Sequence, residues 1–507
     1  MREDWIGCKV ESISEYLRGI TYKKENASDK ELNGMFPILR ANNIKDDKIN
    51  FDDLVFVDKN LINSNQILRK NDILFAMSSG SIHLVGKSAF INDDLQFSFG
   101  AFCGVLRPNS YINAKYLSSY FSSLGFKNYI STVAKGSNIN NLKREHLLNI
   151  QLPLPPLPEQ RAIVKKLESL FSSLDAGVAD LKKAEQQLKI YRQAVLKKAF
   201  EGGNEVKLSS CCIKAERVNR RNIELESSLK YIDIGSIDNK LNKIIGSKEY
   251  LWKDAPSRAQ QIIKNGDILF STVRTYLRNI AQVESDIYEN EICSSGFTVL
   301  RADDTKLLNK YLFHFTLYNG FLDKLGELQT GTSYPAVRDK DVFDQLIPLP
   351  SVEEQHQIVK QIESRLSVCD SIEQNIKESL VKAEALRQSI LKKAFKGNLL
   401  TVKELEECKL AKDYEPASML LEKIKAEKEA SRALEKTISR KPKIKMDKKE
   451  ILVLLKENNN EMAVNQLWKD SIYENDIDAF YLKLKDLSEQ GKIIEIKNGK
   501  EVTIKLI

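Results

Sequence analysis

Apolar positions along this 507-residue chain follow different periods in different stretches, and each change of period marks a part of the molecule. The series Ile163, Leu167, Leu170, Leu174, Gly177, Leu181, Ala184, Leu188, Tyr191 and Val195 steps by four and three residues. A 3.5-residue period held over several heptads predicts a coiled-coil helix over about 159–201, roughly 65 Å long at ~1.5 Å per residue. A second series runs Ile358, Ile362, Arg365, Cys369, Ile372, Ile376, Ser379, Ala383, Leu386 and Ile390. Both helices follow proline-rich starts, and Ser351 with Glu354 has the spacing of a capping box. Both close on lysines and then Gly202 or Gly397, which suits the helix dipole and a left-handed C-cap. Each seam can pair with a second copy of the chain. Lying in one polypeptide, the two are better placed to pair with each other.

Ahead of each helix the pattern is shorter in wavelength. Strand-like runs such as Ile73–Met77, Val85–Ile91 and Phe102–Leu106 are punctuated by the turn signals Asn71-Asp72, Gly34, Gly246 and Asn265-Gly266. Helical stretches are expected around Ala114–Tyr129 and Lys306–Lys324. These segments read as α+β domains, each long enough to bury its own core. The expected units are 1–150 and 204–345 for the domains, with 151–203 and 346–400 for the helices. Residues 401–445 read as a charged helical tail, Pro416–Arg432, and a linker, Arg440-Lys441-Pro442-Lys443. Residues 446–507 show three helical stretches and then two alternating runs around Asn498-Gly499, a strong hairpin signal. That order suggests a winged-helix module; a small protein-docking domain fits it equally well.

One offset, 195 residues, organises the whole. Asp72-Ile73-Leu74-Phe75 returns as Asp267-Ile268-Leu269-Phe270, and Gly136-Ser137 as Gly331-Thr332. Pro153-Leu154-Pro155 returns as Pro348-Leu349-Pro350, and Leu196-Lys197-Lys198-Ala199-Phe200 as Leu391-Lys392-Lys393-Ala394-Phe395. Over residues 153–202, 21 of 50 positions recur without a gap, which chance does not produce. The chain is a tandem duplication whose unit is a domain plus a long helix.

Charge adds a mild bias. The net +8 is compatible with a polyanionic partner, and residues 401–507 hold 22 basic against 21 acidic residues, which leaves +7 on residues 1–400. No stretch approaches ~20 apolar residues, so no membrane span is expected. The seven scattered cysteines show no CxxC spacing, and the polar start Met1-Arg2-Glu3-Asp4-Trp5 is unlike a secretory leader. A reduced cytoplasm is the expectation. Catalytic signatures are missing as well: ahead of Gly86-Lys87-Ser88, Ser81 stands where a phosphate loop needs glycine, and a hairpin tip reads better. The four histidines, His83, His146, His314 and His356, stand in no metal-ligand spacing. A non-catalytic binding protein is expected, with neither metal nor cofactor.

Within a duplication, framework matches and specificity diverges. After the shared strand, one copy runs Ser78-Ser79-Gly80-Ser81-Ile82-His83 and the other Arg274-Thr275-Tyr276-Leu277-Arg278. A second divergent pair sets Lys135, Ser137, Asn138, Asn140 and Asn141 against Thr330, Thr332, Ser333 and Tyr334. Arginine forks onto guanine, asparagine onto adenine, hydroxyls and Lys87 reach bases or phosphates, and tyrosine packs on sugar or base. These residues are the candidate DNA contacts; ordinary polar loops are the alternative.

Taken together, the repeats resemble the specificity subunits of Type I restriction–modification systems. Leu152-Pro153-Leu154-Pro155-Pro156-Leu157-Pro158-Glu159-Gln160 leading to Ile163-Val164 looks like that family's central region, and 347–359 with 391–397 like its distal region. Glu415-Pro416-Ala417-Ser418 resembles a segment near the C-terminus of many members. The resemblance implies two target-recognition domains reading a bipartite, asymmetric site in double-stranded DNA, separated by paired antiparallel spacer helices. It further implies two methyltransferase subunits acting on adenine N6 and two restriction subunits. S-adenosylmethionine, ATP and magnesium would bind those partners and not this chain. A coiled-coil scaffold that binds only proteins is the competing reading. The spacer helices would act as a ruler, so a heptad inserted after Ala184 is expected to alter the spacing of the site.

Overall fold

Each half of the chain folds the same antiparallel sheet around its Asp-Ile-Leu-Phe motif. The computed structural model describes residues 2–45, 47–82, 84–134, 140–284, 286–439, 448–474, 476–498 and 501–507. In the first half the strand order is Ser88–Phe90, Ile73–Ala76, Cys103–Pro108, Ser14–Arg18; in the second, Ile280–Gln282, Ile268–Ser271, Phe297–Ala302 and Cys212–Lys214 take the same places. Ile73–Ala76 and Ile268–Ser271 are buried on both faces, which is why their apolar residues run on without alternating. The aspartate that opens each motif ties two strands together. Asp72 accepts Nε and Nη2 of Arg107, both at 2.8 Å, and the Arg69 amide. Asp267 holds Arg301 at 2.9 and 2.8 Å and the Lys264 amide.

A second four-stranded sheet lies in each half, and here the copies part. Met35–Leu39 and Ser228–Ile232 each have a parallel neighbour (Ser98–Phe99, Ile292–Ser294) and an antiparallel one (Val55–Asp58, Lys248–Leu251). The fourth strand sits on opposite edges: Ala27–Ser28 beside Val55–Asp58, but Ala259–Ile262 beside Ile292–Ser294. Val85–Ile91, expected as one strand, is a turn leading into Ser88–Phe90. Both expected helices break in two, into Ala114–Phe121 with Leu124–Val133 and Asn309–Thr316 with Asn319–Glu327.

The long helices, Leu157–Phe200 and Val352–Phe395, are 44 residues each and pair antiparallel. Arg192 bonds Asp370 at 2.6 Å and Glu373 at 3.0 Å, and Arg387 bonds Asp175 while lying 4.5 Å over the Phe171 ring. The two Arg–Asp pairs are each other's copies at the 195 offset, a relation that only antiparallel pairing gives. The seam differs from the expected stripe in phase. Ile163, Leu167, Val195, Ile362, Ile376 and Ile390 are buried, and Leu174, Leu181, Leu188 and Ile358 half-buried. Leu170, Tyr191, Ile372 and Leu386 are exposed instead, and their next neighbours Phe171, Arg192, Glu373 and Arg387 turn inward. The 3.5-residue period holds, but alternate positions move on by one residue, because the inward arginines and Phe171 pack and pair across the coil. The C-terminal ends differ too. Gly397 forms the left-handed cap, with the Asn398 amide on the Lys393 carbonyl at 2.9 Å, whereas Glu201 leaves the first helix extended.

Each domain is clamped by both helices. The first domain's core takes Ile163, Val164 and Leu167 from the start of its own helix and Ile390, Leu391 and Ala394 from the end of the other. The second takes Val359 and Ile362, with Val195, Leu196 and Phe200. A glutamine plugs each broken helix from across: Gln388 receives the Leu124 amide at 2.7 Å, and Gln193 the Asn319 amide at 2.9 Å. Beyond the repeat, Val402–Lys409 packs on the first long helix, Glu404 bonding Lys166 at 2.6 Å. Ala417–Ser439 sends Leu420, Leu421 and Ile424 into the first domain's core, so the expected charged tail has a buried apolar stripe. The C-terminal part follows the order helix, strand, helix, helix, strand, strand, with Ile493–Asn498 and Glu501–Leu506 as the hairpin, which is the order of a winged helix. The linker 440–447 lies outside the described residues.

Candidate nucleic-acid interface

The two segments that diverge between copies meet each other in both domains. In the first, Ser78 and Ser79 pair with Asn141 and Asn140 as a short ladder, and the Ser78 hydroxyl donates to Asn141 Oδ1 at 2.6 Å. The Asn140 amide group donates to the Gly80 carbonyl at 3.2 Å. In the second, Val273 bridges Ala336, and the Arg274 amide donates to the Pro335 carbonyl at 2.7 Å. Hydrogen-bonding side chains from two distant stretches thus form one surface at the end of each central strand.

The second domain's surface carries backbone strain. Arg274 (φ 50°) and Arg278 (φ 54°) both adopt the left-handed conformation and bracket a single 3-10 turn, Thr275–Leu277. For a side chain of this size such a conformation costs on the order of 1–2 kcal/mol. The turn leaves Tyr276 63% exposed, and Tyr334 in the second segment is 69% exposed. The Arg274 guanidinium lies 4.6 Å over the Tyr334 ring and donates to the Ser333 carbonyl at 3.2 Å, while its buried Nε has no partner. Arg278 donates to Asn319 Oδ1 at 2.8 Å. Thr330, Thr332 and Ser333 are exposed. Thr275 is not a surface contact: it is buried, and its hydroxyl accepts from Gln329, so it holds the turn. In the first domain Ser81 is exposed and Lys87 half-buried, while His83, Lys135, Ser137 and Asn138 lie outside the described residues.

Gly86 (φ 80°) closes a turn into the strand Ser88–Phe90, so Gly86-Lys87-Ser88 starts no helix and makes no phosphate loop. Lys87 instead lines a groove of about 1290 Å³ between the first domain and the coil, with Lys45, Lys48, Lys127 and Lys182. Among the described residues none of these five lysines forms an ion pair with the protein. The sequence singled out Lys87 but not the other four, whose only trace was the +7 excess, because folding gathers lysines far apart in the chain. No group of three His, Cys, Asp or Glu side chains that could hold a metal occurs among the described residues. No helix among them is long and apolar enough to cross a membrane.

The contacts that fix each domain to the coil occur twice. Lys115–Glu168 recurs as Lys310–Glu363, and the Tyr116 hydroxyl on Pro153 recurs as Tyr311 on Pro348. The two polar surfaces are therefore related by the coil's own twofold axis. The family described as the Type I restriction modification DNA specificity domain matches residues 2–185 and again 205–382. The chain belongs to the Type I restriction–modification specificity subunits. This specificity subunit is 33% identical over 452 residues to the Type I restriction enzyme StySPI specificity subunit of Salmonella potsdam, covering 85% of this chain and 96% of that one. It is also 33% identical over 466 residues to the EcoKI specificity subunit of Escherichia coli K12, with the same shares covered. A solved chain from a type I restriction–modification assembly shares the fold at 21% identity, with a TM-score of 0.61, covering 79% of this chain and 99% of that one. A specificity subunit is the non-catalytic member of its complex, and a protein-only scaffold finds no support.

Proposed function

We propose that this specificity subunit reads a bipartite, asymmetric site in double-stranded DNA, one half-site per domain, with residues 1–150 and 204–345 as the recognition units. The observation that carries the reading is the meeting of divergent segments at one equivalent place in each of two domains related by a twofold axis. Duplex DNA has twofold axes perpendicular to its length, so two such surfaces meet opposite strands in equivalent orientation. The side chains differ, Ser and Asn on one surface and Arg and Tyr on the other, so the half-sites differ in sequence.

The lysine groove beside Gly86 supplies phosphate contacts that position the duplex without reading it. The coil surface, repeated by the same twofold, docks two methyltransferase subunits acting on adenine N6, and two restriction subunits join them. S-adenosylmethionine, ATP and magnesium belong to those partners. The C-terminal module, with 10 lysines against 12 acidic residues in 446–507, suits a protein partner better than a polyanion. Sequencing methylated adenines in cells carrying the methyltransferase subunits, with and without this chain, tests the reading. A two-part non-palindromic motif present only with the chain is expected; a motif unchanged by its removal overturns the proposal.

A further inference from the structure

A third element borders the first domain's reading surface, and its aromatic side chain has no counterpart in the second. The loop between Ser98–Phe99 and Cys103–Pro108 places the Phe102 carbonyl under the reading strand, where it accepts the Met77 amide at 2.8 Å and the Ser78 amide at 3.3 Å. These bonds anchor the backbone of Phe102 beside Ser78 and, through the ladder, Asn141. Its ring is left in solvent, 68% exposed. An aromatic side chain buries a large area when it finds a partner and gains nothing in water. The frame is duplicated: the Thr272 amide donates to the Gly296 carbonyl at 2.9 Å in the second domain. Glycine thus occupies the position of Phe102 in that domain, so the ring is dispensable to the shared fold.

From this placement we infer that Phe102 is a specificity-determining residue, whose ring contacts the C5-methyl group of a thymine in the half-site read by the first domain. Thymine presents the only methyl group on the major-groove edge of unmodified DNA, and an apolar side chain reads it by excluding water from both. The polar neighbours Ser78, Ser79 and Asn141 serve hydrogen-bonding edges and leave that methyl group without a reader. The inference rests on the proposed DNA reading.

The test uses the full chain assembled with its methyltransferase subunits. Duplexes carrying the methylated motif are prepared with each thymine of the first domain's half-site replaced in turn by deoxyuridine, which lacks only the methyl group. The wild-type complex should lose about fourfold in affinity at one position, the worth of one buried methyl group. Phe102→Ala should bind the unmodified duplex correspondingly weaker and show no response to the same replacement. Phe102→Leu, which keeps an apolar tip, should retain the response in part and guards against a folding defect. In cells, Phe102→Ala should relax the methylated motif at one base of that half-site only. A deoxyuridine scan that is flat for the wild type, or identical for wild type and Phe102→Ala, overturns the assignment. Failure of the wild-type complex to select any duplex would instead sink the DNA reading beneath it.

Discussion

Glu159 and Glu354 occupy the same place in the repeat and do different work. Glu354 closes a capping box with Ser351, its amide on the Ser351 hydroxyl at 3.3 Å. In the first copy a proline replaces that serine, and Glu159 turns inward. There it accepts Trp5 Nε1 at 2.9 Å and Arg2 at 3.4 Å, and its other oxygen is buried without a partner. Burial raises its pKa above the ordinary 4.5, against the pull of Trp5 and Arg2. A raised carboxyl pKa means the fold holds the proton more tightly than the unfolded chain does. The contribution is present below about pH 4.5 and is lost as pH rises through the folded value. Glu159→Gln, which cannot ionise, should therefore gain stability relative to the wild type between pH 4 and 7. Thermal unfolding of both proteins across that range checks it, and a difference independent of pH counts against it. Arg278 belongs to the same scale. If it forks onto a base, Arg278→Ala should cost on the order of 1–3 kcal/mol at one half-site and leave the other half of the methylated motif intact. Loss of both halves, or of neither, removes Arg278 from the reading surface. Such residues were legible as divergent positions, but their strained geometry was not, since sequence does not mark left-handed arginines.

At the scale of elements, period was legible and phase was not. Both stripes through the long helices have a 3.5-residue repeat; hydrophobicity favoured Ile372 and Leu386 over Glu373 and Arg387, and heptad spacing alone favoured Leu170 over the equally apolar Phe171. Cross-coil pairing decides otherwise, and no pattern within one helix encodes it. The phase is testable on neighbouring turns. Ile376 is buried and Ile372 is 41% exposed, though they lie one turn apart. Ile376→Ala should destabilise by about 2–4 kcal/mol, as cavity-forming core changes do, while Ile372→Ala stays within about 0.5 kcal/mol. Denaturant titration of the two variants separates the stripes, and the reverse order would restore the hydrophobic one. Helix breaks were missed for the same reason, because the glutamines that satisfy them, Gln193 and Gln388, come from the other copy's helix.

The whole molecule has an axis that the repeat only hinted at. The pairs Arg192–Asp370 and Arg387–Asp175 place it midway between residues 175 and 192, near Ala184, and correspondingly near Ser379 on the second helix. Sequence gave away the duplication; the exchange of helix ends between domains stayed hidden, because contacts between copies leave no period. This axis changes what a ruler experiment must do. A heptad added after Ala184 alone leaves seven residues without partners in the second helix, so the coil must bulge. Matched heptads after Ala184 and Ser379 preserve the Arg192–Asp370 and Arg387–Asp175 pairs on either side and lengthen the coil by about 10 Å, at ~1.5 Å per residue. On a duplex rising ~3.4 Å per base pair, that is about three more base pairs between half-sites. Three base pairs also turn the groove by about 100°, given about 10.5 per turn, so the far domain meets a rotated surface. Three matched heptads, about nine base pairs, return close to one full turn. The spacer of the methylated motif should therefore lengthen by about three base pairs with weak modification, and by about nine with modification restored. Long-read sequencing of methylated adenines reads both, and a spacer unchanged by matched insertions would mean that the coil does not set the distance.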